Sequence, residues 1–430
     1  MNYRVRKSAV QGEVAVPTSK SHTMRAVLLA SMLGGTSHVH KPLPSPDTAA
    51  MTAACRAFGA RIDGEAGQQE TLVITGVKGN PKAPDQVLDV GNSGQVLRFG
   101  AAFAALSSGY TIITGDESIR SLRPMHPLLT GLSGLSAFAE SSRGNGYAPV
   151  IIRGPAKAGQ TRLSGNDSQP VSALLMLAAF LEGATTILVD EPGELPWIDL
   201  TLYWLDRLGV SCRCDNYTRY EVQGPVSCKG FDYTVPGDWS SAAFPVAAAL
   251  VQNAPLTLLN MDYTDPQGDK AVLGAFERMG ARFTIDGAAK CVHVHAHEGL
   301  HGAELAVNHI IDAVPVLAAV ACFASGPTRI YGAEIARHKE CDRLHGIAEE
   351  LGKMGASIKE EPDGLVITPA PLHGAVTHSR HDHRIAMAVT VAALAAGETT
   401  ILDTACVAKS FPGFAATMAG MGAEITECSL

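Results

Sequence analysis

With 430 residues, 46% of them hydrophobic and 18% charged, the chain is too long for one ordinary core and too apolar for disorder, so two packed domains are expected. A formal net charge of −8 argues against a general nucleic-acid binder, but leaves room for a local basic site that serves small anions. The nine cysteines, without a zinc-like C-x-x-C pair, fit a reduced cytoplasmic setting. The start MNYRVRKSAVQGEVAVP has no apolar h-region, so no secretory signal is expected, and apolar runs such as AAFPVAAALV stop too soon to span a bilayer.

In chain order, six predicted helices are apolar all round: MRAVLLASML, VLRFGAAFAAL, VSALLMLAAFL, AAFPVAAALV, VPVLAAVACFA and RIAMAVTVAALAA. A helix without a polar face is buried on all sides. Each ends in a turn, near Gly35, Gly109, Gly183, Asn253, Gly326 and Gly397, a period of roughly 70–74 residues that marks a structural repeat. A Thr-rich strand follows each turn, then a second helix. Those second helices end at Phe58-Gly59-Ala60, Leu208-Gly209-Val210, Met279-Gly280-Ala281, Met354-Gly355-Ala356 and Met421-Gly422-Ala423. The second unit, with GLSGLSAFAE in that place, is the weak copy. Three units in each of two domains is the natural division. A repeat scaffold that only presents a binding surface is the bland alternative.

Polar residues gather at the starts of the apolar helices: Ser19, Lys20 and Ser21; Asn92, Ser93 and Gly94; Asp167, Ser168 and Gln169; Asp238, Ser240 and Ser241; Asn308 and Asp312; Asp382, His383 and Arg384. Helix N-termini expose unpaired N–H groups and the positive end of the dipole, so they suit anions, although plain N-capping needs the same residue types. Lys20 and Arg384 stand where the dipole disfavours a cation, which makes sense if an anion lies between. Arg123, Lys339, Arg343 and Lys409 add further cations in loops at equivalent places, which points to a shared basic cleft.

Several stretches together resemble the motifs of the 5-enolpyruvylshikimate-3-phosphate synthase family. VPTSKSHTMRAVLLA resembles its P-x-SKS-x-x-x-R opening, GNSGQVLRFGAA its GNAGT-x-x-R stretch, LRP its ERP loop and DSQPVSALLM its SSQ helix start. NHIIDAVP, RHKECDRL, DHRIAMA and AKSFPGF resemble four more, all in family order from about residue 12 to residue 414. The resemblance implies a two-domain inside-out α/β barrel of six βαβαββ-type units. One domain would span 19–236 and the other 1–18 with 237–430, and the two chain crossings would form a hinge. It also implies transfer of the enolpyruvyl group of phosphoenolpyruvate to the 5-hydroxyl of shikimate 3-phosphate, without cofactor, metal or membrane, by a monomer. Phosphoenolpyruvate would be held by Lys20, Asn92, Gly94, Arg123, Gln169, Arg343, Arg384 and Lys409. Shikimate 3-phosphate would be held by Lys20, Ser21, Arg25, Ser168, Gln169, Trp197, Asp312 and Lys339. Asp312 would take the hydroxyl proton and Glu340 would protonate the methylene, with Lys20 and His383 also near the proton path. Because Gly94 is kept, binding of the inhibitor glyphosate is expected.

Four positions depart from the family pattern. Asp167 replaces a Ser, and a carboxylate near a phosphate is unfavourable unless a cation intervenes, so Asp167 is expected to turn away or the phosphate to lean on Ser168 and Lys339. Trp197 replaces a Tyr, and Gln95 and Phe99 replace a Thr and a Pro expected on the phosphoenolpyruvate side. A sister enzyme acting on UDP-N-acetylglucosamine is the alternative, but it usually carries a Cys in the loop that reads TGDESIRSLRP here. His293, His295 and His297 alternate and would share one strand face, more simply solvent-facing than metal-binding. Neither a Walker A loop nor a strand-anchored G-x-G-x-x-G is present, so no nucleotide cofactor is expected.

Overall fold

The computed structural model describes residues 1–429. The chain divides into two compact units: Thr18–Val235, and a discontinuous one in which Met1–Pro17 joins the chain from Pro236 onward. Each has its own continuous apolar core.

Among the described residues the strands form six four-stranded sheets with one shared pattern. In Gln160–Ser164, Gly183–Asp190, Arg219–Gly224 and Ser211–Asp215, the first two strands pair in parallel and the others add antiparallel. The parallel pair is joined through the buried helix Ser168–Ala178, the connection that parallel strands require. The other inner helices are Lys20–Met32, Gly94–Ala104, Trp239–Val251, Val314–Ala321 and His383–Ala396. In Lys20–Met32 every residue after Lys20 is buried, as all-round apolarity requires. The inner helices pack on one another within each unit, and more amphipathic helices such as Arg343–Lys353 lie between them and solvent.

Two short strands explain the discontinuity. Gly12–Ala15 lies just before the first inner helix in sequence, yet it pairs in parallel with Leu256–Leu259 inside the discontinuous unit. Asp232–Thr234 takes the place it leaves vacant, beside Thr36–His40. Each of these strands thus completes a sheet of its own unit, and Asn2–Arg6 completes the last sheet between Thr399–Leu402 and Glu424–Cys428.

The second helices end where the sequence indicates. Gly59, Gly209, Gly280, Gly355 and Gly422 have φ of +103°, +70°, +97°, +97° and +103°, the left-handed turn that stops a helix without a Cβ penalty. The weak second copy is present too. It is Leu135-Ser136-Ala137, with Ser136 at φ +68° in the glycine's place. At the fifth inner helix Asp312 lies just before the helix, as expected, but in a turn of its own. Asn308–Ala313 is a separate 3₁₀ turn, broken at Ile310, so Asp312 is not a cap of the helix that follows. His297 likewise lies beyond the strand Cys291–His295. The three imidazoles are engaged separately, by the Thr257 hydroxyl, the Thr284 hydroxyl and the Leu250 carbonyl. Among the described residues the nine cysteines are free thiols, and no helix is long and apolar enough to cross a membrane.

Candidate active site

In the 18–235 unit, the three inner-helix starts carry most of the polar set. Ser19, Ser93 and Asp167 are the N-caps, accepting from the backbone N–H of His22, Val96 and Gln169. These caps satisfy part of each helix end and leave the neighbouring side chains for other work. Lys20 stands 3.6 Å from the Asp47 carboxylate. Arg25 is 2% exposed and no carboxylate among the described residues pairs with it. Its guanidinium donates to Thr201 Oγ1 at 3.1 and 2.9 Å and to the carbonyls of Ser21 and Trp197, and it lies 5.2 Å from the Phe99 ring centre. Burial pulls its pKa down to about 9, the signature of a charge held without a counter-ion.

A second cluster surrounds Gly94. A Cβ there would meet Arg98 Nη1 at 2.9 Å, Gln169 Oε1 at 3.4 Å and Arg123 Nη1 at 3.5 Å, so glycine is what lets the backbone approach this group. Arg98 donates to Gln169 Oε1 at 3.0 Å and pairs with Asp167 at 2.9 Å. Asp167 thus faces the Arg98 cation, which offsets its negative charge at this helix start. Asn92 donates to Asp116 and Ser118 and thereby ties down the loop leading to Arg123. Ser168 gives both its backbone N–H and its hydroxyl, at 3.0 and 3.1 Å, to the buried carboxylate of Glu194.

The discontinuous unit holds a denser network. Arg343, 1% exposed, donates to three carboxylates: Asp382 at 2.7 Å, Asp312 at 2.6 Å and Glu340 at 2.7 Å. Asp312 accepts a second cation, Arg384, at 2.8 Å, and Glu340 accepts Lys409 Nζ at 2.7 Å. Burial pushes the Asp312 carboxyl up, but Arg384, Arg343 and Lys339 outweigh it and hold the group well below the usual carboxylate range. Arg384 Nε is buried without a hydrogen-bond partner. His383, 1% exposed, sits beside Asp382, the N-cap of its helix. Deeper in the unit, Asp269 accepts the Ser240 hydroxyl. Burial and the Asp312 carboxylate push its pKa up to about 8.

Within each unit most of the sequence-identified residues are neighbours: Gly94, Arg123 and Gln169 in one group; Ser21, Arg25 and Trp197 in another; Asp312, Glu340, Arg343, Arg384 and Lys409 in a third. Gln95 donates to Ser21 Oγ at 3.4 Å, and the Phe99 ring lies 5.2 Å from the Arg25 guanidinium, so both positions neighbour the Ser21 and Arg25 group. Arg98, Asp47, Thr201 and Glu194 were not selected from the sequence. Arg98 lay within a quoted motif, and its buried position on an otherwise apolar helix was the available signal. Nothing in the sequence marks Glu194 as a partner of Ser168.

Buried cations at helix starts, with acidic groups between them, are the arrangement that suits an enzyme acting on small anions. The chain belongs to the EPSP synthase (3-phosphoshikimate 1-carboxyvinyltransferase) family, whose model matches residues 5–418. It is 41% identical over 429 residues to a 3-phosphoshikimate 1-carboxyvinyltransferase from Acetivibrio thermocellus, covering 100% of both chains. Among solved structures it is similar to EPSP synthase from Acinetobacter baumannii, with a TM-score of 0.83, 28% identity and coverage of 99% of this chain and 100% of that one. It shares its fold with the enolpyruvyl transferase NikO from Streptomyces tendae, with a TM-score of 0.78, 19% identity and coverage of 99% and 98%.

Proposed function

We propose that the chain transfers the enolpyruvyl group of phosphoenolpyruvate to the 5-hydroxyl of shikimate 3-phosphate and releases inorganic phosphate. The observation that carries this reading is Arg25, a fully buried guanidinium without a carboxylate partner, on the helix that also bears Lys20 and Ser21. An arginine is kept charged in such a place when a substrate anion or hydroxyl array completes its bonding.

The acceptor oxygen bonds to the central carbon of phosphoenolpyruvate and its proton passes to Asp312, while a proton adds to the methylene. The carbon–phosphate-oxygen bond then breaks, phosphate leaves, and a methyl proton returns to Glu340, which gives the enol ether product. Paired with Arg343 and Arg384, Asp312 is a weak base. Binding of the phosphoenolpyruvate anions to those arginines draws the cations off Asp312 and raises its basicity when substrate is in place. Both oxygens of Glu340 accept charged donors, so the methylene proton comes through Glu340 from Lys409 Nζ, 2.7 Å away. Gly94, Arg123, Gln169 and Lys20 seat the phosphoenolpyruvate anion. Ser21, Ser168, Trp197 and Lys339 complete the acceptor set, with His383 beside the proton path.

The test is phosphate release with both substrates together, with each alone, and with Lys20→Ala. Release that needs both substrates and intact Lys20 is expected. A folded protein that releases no phosphate with the pair overturns the assignment of the acceptor.

A further inference from the structure

The start of the third inner helix is filled from within. A phosphate at this helix end would be expected to take the Ser168 backbone N–H and hydroxyl, and both go to Glu194 at 3.0 and 3.1 Å. Glu194 is 1% exposed and adopts φ +49°, ψ +41°, the left-handed conformation that non-glycine residues rarely take. Such a conformation persists only where its surroundings hold it. A second carboxylate, Asp167, caps the same helix and is paired with Arg98. One turn further along, Ser172 accepts from Thr201, which in turn receives the Arg25 guanidinium. The Ser168 end is therefore continuous with the acceptor group, but its two donors are committed to a protein anion.

We propose that Glu194 is the specificity-determining residue of the acceptor site. Its carboxylate stands in for a phosphate at Ser168, so a phosphorylated acceptor gains these donors only by displacing it, and selection for the phosphate is weakened. An acceptor with a hydroxyl or other hydrogen-bond donor at this point meets no such competition. The inference rests on the proposed function for its substrates, and on the Ser168–Glu194 geometry for its mechanism.

The experiment compares kcat/KM for shikimate 3-phosphate with that for shikimate, in the wild type, Glu194→Gln and Glu194→Ser. Glutamine keeps an acceptor for Ser168 and removes only the charge; serine empties the seat. Thermal melts and circular dichroism establish that each variant is folded. The expected result is a preference for the phosphorylated acceptor that rises about tenfold in Glu194→Gln and further in Glu194→Ser, through the acceptor KM and with the KM for phosphoenolpyruvate unchanged. An unchanged or reduced preference in both folded variants overturns the proposal and leaves Glu194 as a structural clamp. If the wild type turns over neither acceptor, the proposed function fails and inorganic phosphate binding by calorimetry takes over as the test. Tighter phosphate binding by about tenfold in Glu194→Ser sustains the occupied seat, and equal binding overturns it.

Discussion

Arg343 is where charge, packing and chemistry meet, so its replacement is the most informative perturbation. Arg343→Met keeps the volume and removes five donors. The loss is smaller than three broken ion pairs, because Asp312 keeps Arg384 and Glu340 keeps Lys409. Asp382, fully buried, loses its guanidinium partner and retains the Arg384 backbone N–H. One buried carboxylate deprived of its cation costs about 3–5 kcal/mol, and the weakened contacts at Asp312 and Glu340 add to the upper end of that range. Arg343→Lys restores the charge but not the planar fork, and recovers only part of the loss. Denaturant-dependent hydrogen exchange on peptides from His383–Ala396 reads the stability of this unit directly. A loss below about 1 kcal/mol in Arg343→Met would refute the view that this network is held together by Arg343.

Three further outcomes are expected. Ser136→Gly, at φ +68° where the other five repeats have glycine, stabilises the 18–235 unit by about 1 kcal/mol, measured as a shift in its unfolding midpoint. Asp269→Asn changes the pH dependence of stability. With its folded pKa raised to about 8 from 3.8, wild-type Asp269 binds a proton in the native state that the unfolded chain has released, so its contribution is present below pH 3.8 and is lost as pH rises toward 8. The variant lacks that slope, at most about 1.4 kcal/mol per pH unit, and is the more stable protein at pH 9; identical pH profiles would contradict the assignment. Gly94→Ala pushes a methyl against Arg98, Gln169 and Arg123, and raises the KM for phosphoenolpyruvate more than that for the acceptor.

The repeat was legible because a buried helix and a left-handed stop are local features. All-round apolarity identifies the inner helices, and Gly59, Gly209, Gly280, Gly355 and Gly422 mark five of the six stops. The sixth was obscured because Ser136 adopts the same φ at a steric cost that no pattern of residue types announces. The sheet partners of Gly12–Ala15 and Asp232–Thr234 were not readable either, since parallel partners so far apart in sequence are fixed by tertiary packing. In the site, cations at helix starts were readable because the dipole disfavours them there. Their partners were not. Arg98 meets Asp167 and Ser168 meets Glu194 only because separate helices end side by side.

Those unreadable partnerships share one logic. Each unit neutralises much of its buried positive charge with its own carboxylates: Asp47 near Lys20, Asp167 on Arg98, Asp312 on Arg343 and Arg384, Glu340 on Lys409. Without such pairing the desolvation of so many cations would be hard to sustain. Under the proposed reaction, substrate anions would bind by exchange, each taking a cation from a carboxylate that is thereby released. In that proposal the group released at Asp312 would be a stronger base than before, so anion binding and proton abstraction would become one linked event. Affinity is given up in that exchange, and what is gained is a base that becomes effective chiefly when the anion it must act beside has arrived.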